Sequence, residues 1–478
     1  MDRVLPPPLV VAADSKLKIK LYPHFDDPIG AASIVALVTD PGRVSKNTFY
    51  PFLRYEQRWQ PFRNGLTGKP PKKIRPIRYA SRRDAYIYAY YRHLLVEPYE
   101  KILSKLDLAE CVSAYRKIRQ QNGAGKSNIE FARDAFDAVR QLPQAGVVAI
   151  DISSFFESID HQLLLKQWCR VLDVDRLPAD HRAVYRAITR YAVVERDDVY
   201  RRLGYLTNDL ITGHPVYTRA PKKLCSNIEF RREVCGLDGG PKSLIDVNRK
   251  PYGIPQGSPI SDMLANIYMI DFDARMNTIC QSMGGIYRRY SDDVLMVVPG
   301  GRVEAEGARN AVVAEISNHG AKLKIKDSKT AVLAFAISSD GRRRFEHVAG
   351  EQGKNGLEYL GFRFDGEEVW LRDATVSRLY RKISGSVRAA VGRLVKRYPG
   401  RDAVFIANAF DYGEFFQRYG RVDDFDPYGD VETWTFWTYA KKARAAFGPS
   451  ARPIPMQLRR YKDIVKKRVQ HRIAYLFS

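Results

Sequence analysis

The stretch Gly285-Ile-Tyr-Arg-Arg-Tyr290-Ser-Asp-Asp293-Val-Leu-Met-Val-Val298 constrains this chain more than any other. A β-prone run enters, Asp292 and Asp293 stand at the turn, and the apolar run Val294 to Val298 leaves. That pattern predicts a hairpin in which Asp-Asp takes the place of the usual Asn-Gly. Adjacent carboxylates repel each other, and keeping both charged beside buried strands is costly unless cations compensate. Hard oxygen ligands of this kind suit Mg²⁺, which takes one or two carboxylates and completes its shell with water and phosphate. Taken alone, the tetrapeptide Tyr290 to Asp293 reads equally well as an ordinary exposed turn.

Composition narrows the choice. A chain of 478 residues buries a sizeable core and suggests two or three domains. Its 45% hydrophobic and 28% charged residues describe a soluble globular protein, but a formal charge of +24 is out of the ordinary. Such an excess favours a polyanionic partner, because each phosphate contact releases counterions. An anionic membrane surface is the rival, yet no apolar run approaches the roughly 20 residues of a spanning helix, and the N-terminus lacks a signal-peptide pattern. The five cysteines (111, 169, 225, 235 and 280) form no CxxC pair and no zinc spacing. Reduced thiols in a cytoplasm are the expectation.

Along the chain, residues 1–68 offer no motif. Lys69-Pro-Pro-Lys-Lys-Ile-Arg-Pro-Ile-Arg78 is basic and extended, and a Tyr-dense helix is expected from Arg83 to Lys105. In a chain this cationic, the run favours triphosphate or nucleic-acid contact over a merely solvated face. Gly123-Ala-Gly-Lys-Ser127 invites a phosphate-loop reading, but the pattern needs Gly where Gln120 stands. It is read as a turn into a helix, Asn128 to Gln141. Gly146-Val-Val-Ala-Ile150 is a buried-strand run that ends in Asp151. Leu163 to Lys250 reads as a long helical and basic insertion. Tyr252-Gly-Ile-Pro-Gln256-Gly257-Ser-Pro-Ile-Ser261 is a close-approach loop into an apolar helix, Asp262 to Met276. Arg302 to His319 reads as a helix, Lys322 to Lys326 as strand-like, and Leu357 to Phe364 as part of a second hairpin. From Ala374 the chain is mostly helical and closes on a basic stretch, Leu458 to Arg472.

In order, Asp151, the Gly-Ile-Pro-Gln-Gly-Ser-Pro loop, Tyr-x-Asp-Asp, Lys329-Thr330 and Tyr359-Leu-Gly-Phe362 resemble motifs A to E of reverse transcriptases, over residues 70–365. Ala114-Tyr-Arg-Lys117, Lys126-Ser-Asn-Ile-Glu-Phe-Ala132 and Asp151-Ile-Ser-Ser-Phe-Phe-Glu-Ser-Ile-Asp-His161 are similar to a narrower group, the prokaryotic antiphage-defence enzymes of the abortive-infection and "unknown group" type. The Val-Thr-Gly and Asn-Ala-x-x-His signatures of retron enzymes are not found, nor is the zinc/HNH tail of group II intron enzymes.

The resemblance implies an α+β right-hand polymerase: an N-terminal extension (1–68), fingers (69–145 and 166–250), an antiparallel-sheet palm (146–165 and 251–370), and a helical thumb with a basic tail (371–478). It implies two Mg²⁺ ions, with Mn²⁺ as a substitute, held by Asp151, the main chain of Ile152, Asp292 and Asp293. Lys329 would be the general acid for the leaving pyrophosphate. Arg75, Ile152, Phe155, Phe156, Gln256 and Gly257 would bind the nucleotide, with Phe156 as the steric gate that selects dNTPs. Tyr359, Leu360 and Gly361 would grip the primer. Arg459, Arg460, Lys466, Lys467 and Arg468 would hold RNA. The aromatics Trp434, Phe436, Trp437 and Tyr439 read first as helical core. The partners implied are an RNA template, expected to be a structured noncoding RNA, the DNA product and no membrane; a homo-oligomer stays open. An RNA polymerase on the same palm, a mobile-element enzyme and a catalytically silent RNA-binding scaffold are the competing readings. Phe156 weighs against the first and the intact acid triplet against the last.

Overall fold

The computed structural model describes residues 20–59, 73–121, 123–209, 213–419 and 435–478. It divides into two units, each assembled from three separate pieces of chain. One unit comprises Met1–Tyr115, Ile152–Asn277 and Ala314–Lys324; the other comprises Arg116–Asp151, Thr278–Val313 and Ile325–Ser478.

The second unit is built on the strand Gln144–Ser153, which enters its sheet at the centre because Val147, Val148 and Ile150 are apolar on both faces. Five strands of this sheet run in the order Arg343–Ala349, Ala331–Ile337, Gln144–Ser153, Asp293–Pro299, Ile286–Tyr290, each antiparallel to its neighbours. The helix Asn128–Gln141 starts where Ser127 and Glu130 form a reciprocal capping box, the turn expected at this Gly-Lys-Ser. Its apolar stripe, Ile129, Ala132, Phe136 and Val139, packs into the core with Leu295, Val297, Leu333 and Phe335. A second, three-stranded sheet (Leu357–Tyr359, Phe362–Phe364, Val369–Leu371) joins the same core. From Asp373 the chain is helical. The helix Asp373–Arg397 buries Leu379, Ile383, Val387 and Val391 against the terminal helix Tyr461–Phe477.

The first unit holds a four-stranded sheet in the order Lys73–Tyr79, Phe52–Trp59, Ala192–Glu195, Asp246–Val247. The helix Arg82–Lys105 is capped by Ser81, whose Oγ accepts from Asp84 N at 3.1 Å. Arg82 itself is fully buried: it donates to the carbonyls of Tyr22 and Lys222 and pairs with Asp26 at 3.3 Å. The expected helical insertion contains strands as well, Ala192–Glu195, Leu206–Asn208, Pro215–Tyr217 and Asp246–Val247. They are two to four residues long, too short to leave a period-2 signature. The apolar helix after the glycine loop is two helices, Ser261–Tyr268 and Ile270–Ser282. The helix Arg302–His319 matches the expected bounds, while the strand in 322–326 shrinks to Lys324–Ile325. None of the five cysteines is joined in a disulfide among the described residues. Among the described residues, no helix is long and apolar enough to cross a membrane.

Candidate active site

The Tyr290 hairpin turns one residue earlier than its carboxylates suggested. Ser291 and Asp292 form the two-residue loop, and Asp293 is already the first residue of the outgoing strand. Ser291 takes the left-handed conformation, φ 60°, and is buried. That conformation is uncommon for a residue with a Cβ. Arg289, fully buried, donates from Nη1 to the Ser291 carbonyl at 3.0 Å and braces the turn from behind.

Register then gathers the acids. Asp293 stands directly opposite Asp151 across the antiparallel pair, with Asp292 next to it on the loop. Directly opposed antiparallel residues have Cα atoms about 4.5–5.5 Å apart. Burial pushes the Asp293 carboxyl up to about 7, and the charges of Asp292 and Asp151 push the same way; Arg372 and Lys329 oppose them. Burial, then the charge of Asp151, raises Asp292 as well. Lys329 Nζ donates to Asp151 Oδ1 at 2.5 Å, so the lysine sits on a carboxylate two residues before the end of the central strand.

These acids are costly as they stand, and a hard cation is the group that fits them. Among the described residues no three His, Cys, Asp or Glu side chains already form a metal cage. The Asp151 carboxylate is engaged by Lys329 instead. Mg²⁺ does not require such a cage, because one or two carboxylates with water and phosphate satisfy it.

The second hairpin, Leu357–Tyr359 and Phe362–Phe364, turns through Leu360 and Gly361 with φ of 46° and 96°. Positive φ at both loop positions is the mark of a type I′ turn. Asn128 Nδ2 donates to the Leu360 carbonyl at 2.9 Å and to Tyr439 Oη at 2.9 Å. Tyr359 is buried and its phenol is pushed far up by burial, with the Asp293 charge adding to it.

The predicted nucleotide residues lie in the other unit. Ile152 and Phe155 are buried, so any contact from Ile152 is through its main chain. Phe156 is half-buried, its ring centroid 5.7 Å from that of Phe155. Its carbonyl accepts from Ile254 N at 2.8 Å, and the carbonyl of Gln256 accepts from Arg78 N at 3.1 Å. Gly257 has φ 111°, and a Cβ there would lie 2.4 Å from the Arg78 carbonyl oxygen, so only glycine fits. The loop after Tyr252, the turn carrying Phe156 and the strand Lys73–Tyr79 are thus bonded together. Arg75 is exposed on that strand. Arg78 is buried, its Nη2 paired with Glu157 at 3.1 Å and its guanidinium stacked over Tyr191. Lys69 to Pro71 and Lys72 lie outside the described residues.

In the basic tail, Arg459 and Arg460 fall in the turn before the helix Tyr461–Phe477, where Lys466 and Lys467 are exposed. Arg468 departs from expectation: it is half-buried beside Tyr380 and Arg388, and burial lowers its guanidinium. Phe436, Trp437 and Tyr439 pack against the core; Trp434 lies outside the described residues. Sequence reasoning missed three supporting residues: Arg289, Asn128 and Arg372. The signal for Arg289 was a charged residue at an inward position of a strand, one pleat from two acids.

Residues 248–364 match the family described as "Reverse transcriptase (RNA-dependent DNA polymerase)". That segment contains Asp292, Asp293, Lys329, Gln256, Gly257 and Tyr359 to Gly361. No curated protein sequence matches the chain. Among solved structures it is similar to apo telomerase from Candida tropicalis (10% identity, TM-score 0.38, covering 90% of this chain and 64% of that one). It is also similar to Candida albicans telomerase in complex with the TWJ fragment of telomeric RNA (10% identity, TM-score 0.37, covering 90% and 63%). The chain spans less than two thirds of the length of either, and at such scores the likeness adds nothing to the family match. Residues 248–364 thus match the reverse-transcriptase family, within a chain of mixed helices and antiparallel sheets.

Proposed function

We propose that the chain is an RNA-directed DNA polymerase. The observation that carries this reading is the register pairing of Asp151 with Asp293, beside Asp292, at the end of a buried antiparallel sheet. Divalent cations bound there would activate the primer hydroxyl and neutralise the triphosphate. In this reading Asp151 and Asp292 hold the cations and Asp293 supports them. Lys329 neutralises Asp151 and offers the proton that leaves with pyrophosphate. Arg75 binds phosphates, Gln256 and Gly257 cradle the incoming pair, and Tyr359, Leu360 and Gly361 grip the primer.

Residues 69–145 and 166–250 are assigned to fingers, 146–165 and 251–370 to palm, and 371–478 to thumb and tail. From the resemblance of 114–117, 126–132 and 151–161 we further propose a cytoplasmic enzyme of prokaryotic antiphage defence that copies a structured noncoding RNA. Arg459, Arg460, Lys466 and Lys467 would help to hold that RNA, with a lesser part for Arg468. The test is primer extension on an RNA template with dNTPs and Mg²⁺. The wild type should incorporate dNTPs and exclude rNTPs, and Phe156→Ala should admit rNTPs. Absence of templated incorporation by the wild type would sink the reading; equal discrimination by both proteins would place the gate elsewhere.

A further inference from the structure

In the first unit, the helices His161–Leu172 and Ala179–Thr189 and the segment Val247–Pro251 enclose a groove of about 1030 Å³. Its walls are tied in place. Tyr185 Oη donates to the His161 carbonyl at 2.8 Å, and Asn248 Nδ2 donates to the Thr189 carbonyl at 2.9 Å. His161 N donates to the Pro251 carbonyl at 3.0 Å. Gln162, Leu165, Lys166 and Cys169 share the face that the first helix turns to the groove.

The charge of this groove is one-sided. Arg182 and Arg186 stand four residues apart on one helix face and Arg190 follows at the helix C-cap; Lys166 and Arg176 also line the groove from the residues before that helix, and Arg249 and Lys250 from the third segment. Against these seven cations, Asp175 is the lone carboxylate in the lining among the described residues. All seven are exposed, and among the described residues none of them has a carboxylate partner within 4.0 Å. Elsewhere in the same unit arginines are paired, as in Arg170 with Asp271 and Arg92 with Asp262. Like charges four apart on a helix repel. A groove that concentrates them is explained by a polyanion that lies in it.

We propose that this groove binds a single-stranded segment of RNA through its phosphates, with side chains that take no part in the carboxylate site. Five of the seven cations are arginines, whose planar fork suits phosphate oxygens. The two aromatic rings in the lining among the described residues are Tyr185, whose hydroxyl is engaged, and the buried His161, whose Nε2 lies 2.8 Å from the Gly253 carbonyl. The groove therefore reads backbone rather than stacked bases. Naming RNA rather than DNA rests on the reverse-transcriptase reading.

The test uses the full chain and a labelled, unstructured 20-nucleotide RNA, with binding followed across a salt series without dNTPs. For Arg182→Gln/Arg186→Gln/Arg190→Gln, three lost phosphate contacts should lower the slope of log K against log salt by about 2. Affinity near 0.1 M salt should fall roughly 10- to 100-fold. Lys166→Gln/Arg249→Gln, on the other walls, should give a smaller loss in the same direction. Extension of a short primer–template by these variants should stay at the wild-type rate, with melting temperatures at or above wild type. An unchanged salt slope would leave the groove a solvated face and overturn the proposal. Equal loss in primer extension would place the groove in the catalytic channel. Single-stranded DNA binding as tightly and losing as much would remove the assignment to RNA, and competition by polyglutamate as strong as by RNA would point to an acidic protein. Failure of the wild type to polymerise is scored separately, because the binding assay contains no substrate.

Discussion

Two hairpins of the same unit solve one backbone problem in opposite chemical terms. Each turns in two residues, and each places a residue with a side chain in the left-handed region, Ser291 in one and Leu360 in the other. In each, a side-chain donor from behind caps the carbonyl of that residue: Arg289 for Ser291 and Asn128 for Leu360. There the likeness stops. The Leu360 turn has Gly361 to absorb its second positive φ, and its side chains are apolar. The Ser291 turn has no glycine and carries two half-buried carboxylates with raised proton affinity. Strain and electrostatic cost kept together in one turn mark a place selected for chemistry. Strain alone, relieved by glycine, marks a place selected for shape.

The comparison breaks first at the acids. Asp292→Asn should reduce RNA-templated incorporation by on the order of 10²–10³-fold or more, the scale of losing one electrostatic element of an active site. Its melting temperature should hold or rise, since a repulsive charge is gone. Leu360→Ala, on the proposed primer grip, should cost less in the same extension assay; a loss as large as that of Asp292→Asn would mean the two turns are not chemically distinct.

The next test is pH. The Asp293 carboxyl is raised from its ordinary value to about 7, so the folded protein holds a proton that the unfolded chain has released above about pH 4. Stability without divalent cations should therefore fall as pH rises from about 4 through about 7, then level off. Asp293→Asn should flatten that slope in urea titrations run at several pH values, and substitutions at Leu360 should leave it intact. The first unit runs the other way. Burial holds His319 down to about 4, so its contribution is full above about pH 6.5 and is lost as pH falls toward 4. His319→Gln should flatten that opposite slope.

Backbone tests are smaller. Gly361→Ala, at φ 96°, should cost about 1–2 kcal/mol in denaturant unfolding. Ser291→Gly removes left-handed strain worth about 1–2 kcal/mol but adds chain entropy worth about 0.5–1 kcal/mol, so a net gain of at most about 1 kcal/mol is expected. A gain there accompanied by slower incorporation would show that the strain positions the acids.

Much of this was written locally in the sequence, and what was not is physically intelligible. The strand ending in Asp151, the capped helix Asn128–Gln141, the helix Arg302–His319 and both hairpins follow from apolar runs, caps and Gly punctuation. The apolar runs on either side predict a turn at Asp-Asp, and pairing of Asp293 with both Asp151 and Tyr290 moves it one residue earlier. The break at Met269 between two apolar helices carries no Pro or Gly signal. The burial of Arg289 and Arg78 is not legible in the sequence, because burial of an arginine depends on partners distant in sequence. The Arg182 groove was invisible for the same reason: its walls come from residues 161–190 and 247–251.

The interleaving of the two units bears on how the chain must be made. The central strand Gln144–Ser153 leaves the ribosome long before its neighbours, Asp293–Pro299 and Ala331–Ile337. At about 5–20 residues per second, roughly 10–40 s pass between synthesis of that strand and completion of the second partner. During that interval a run of Val, Ala and Ile has both hydrogen-bonding edges unsatisfied, the state in which nascent strands pair with the wrong partner. Nor can the first unit close early, because its last piece, Ala314–Lys324, is synthesised after most of the second unit's sheet has begun to appear. Folding of either unit is thus postponed until about the strand Ala331–Ile337 has been made, and the yield of active protein should depend on holdase chaperones and low temperature far more than the stability of the finished fold would suggest.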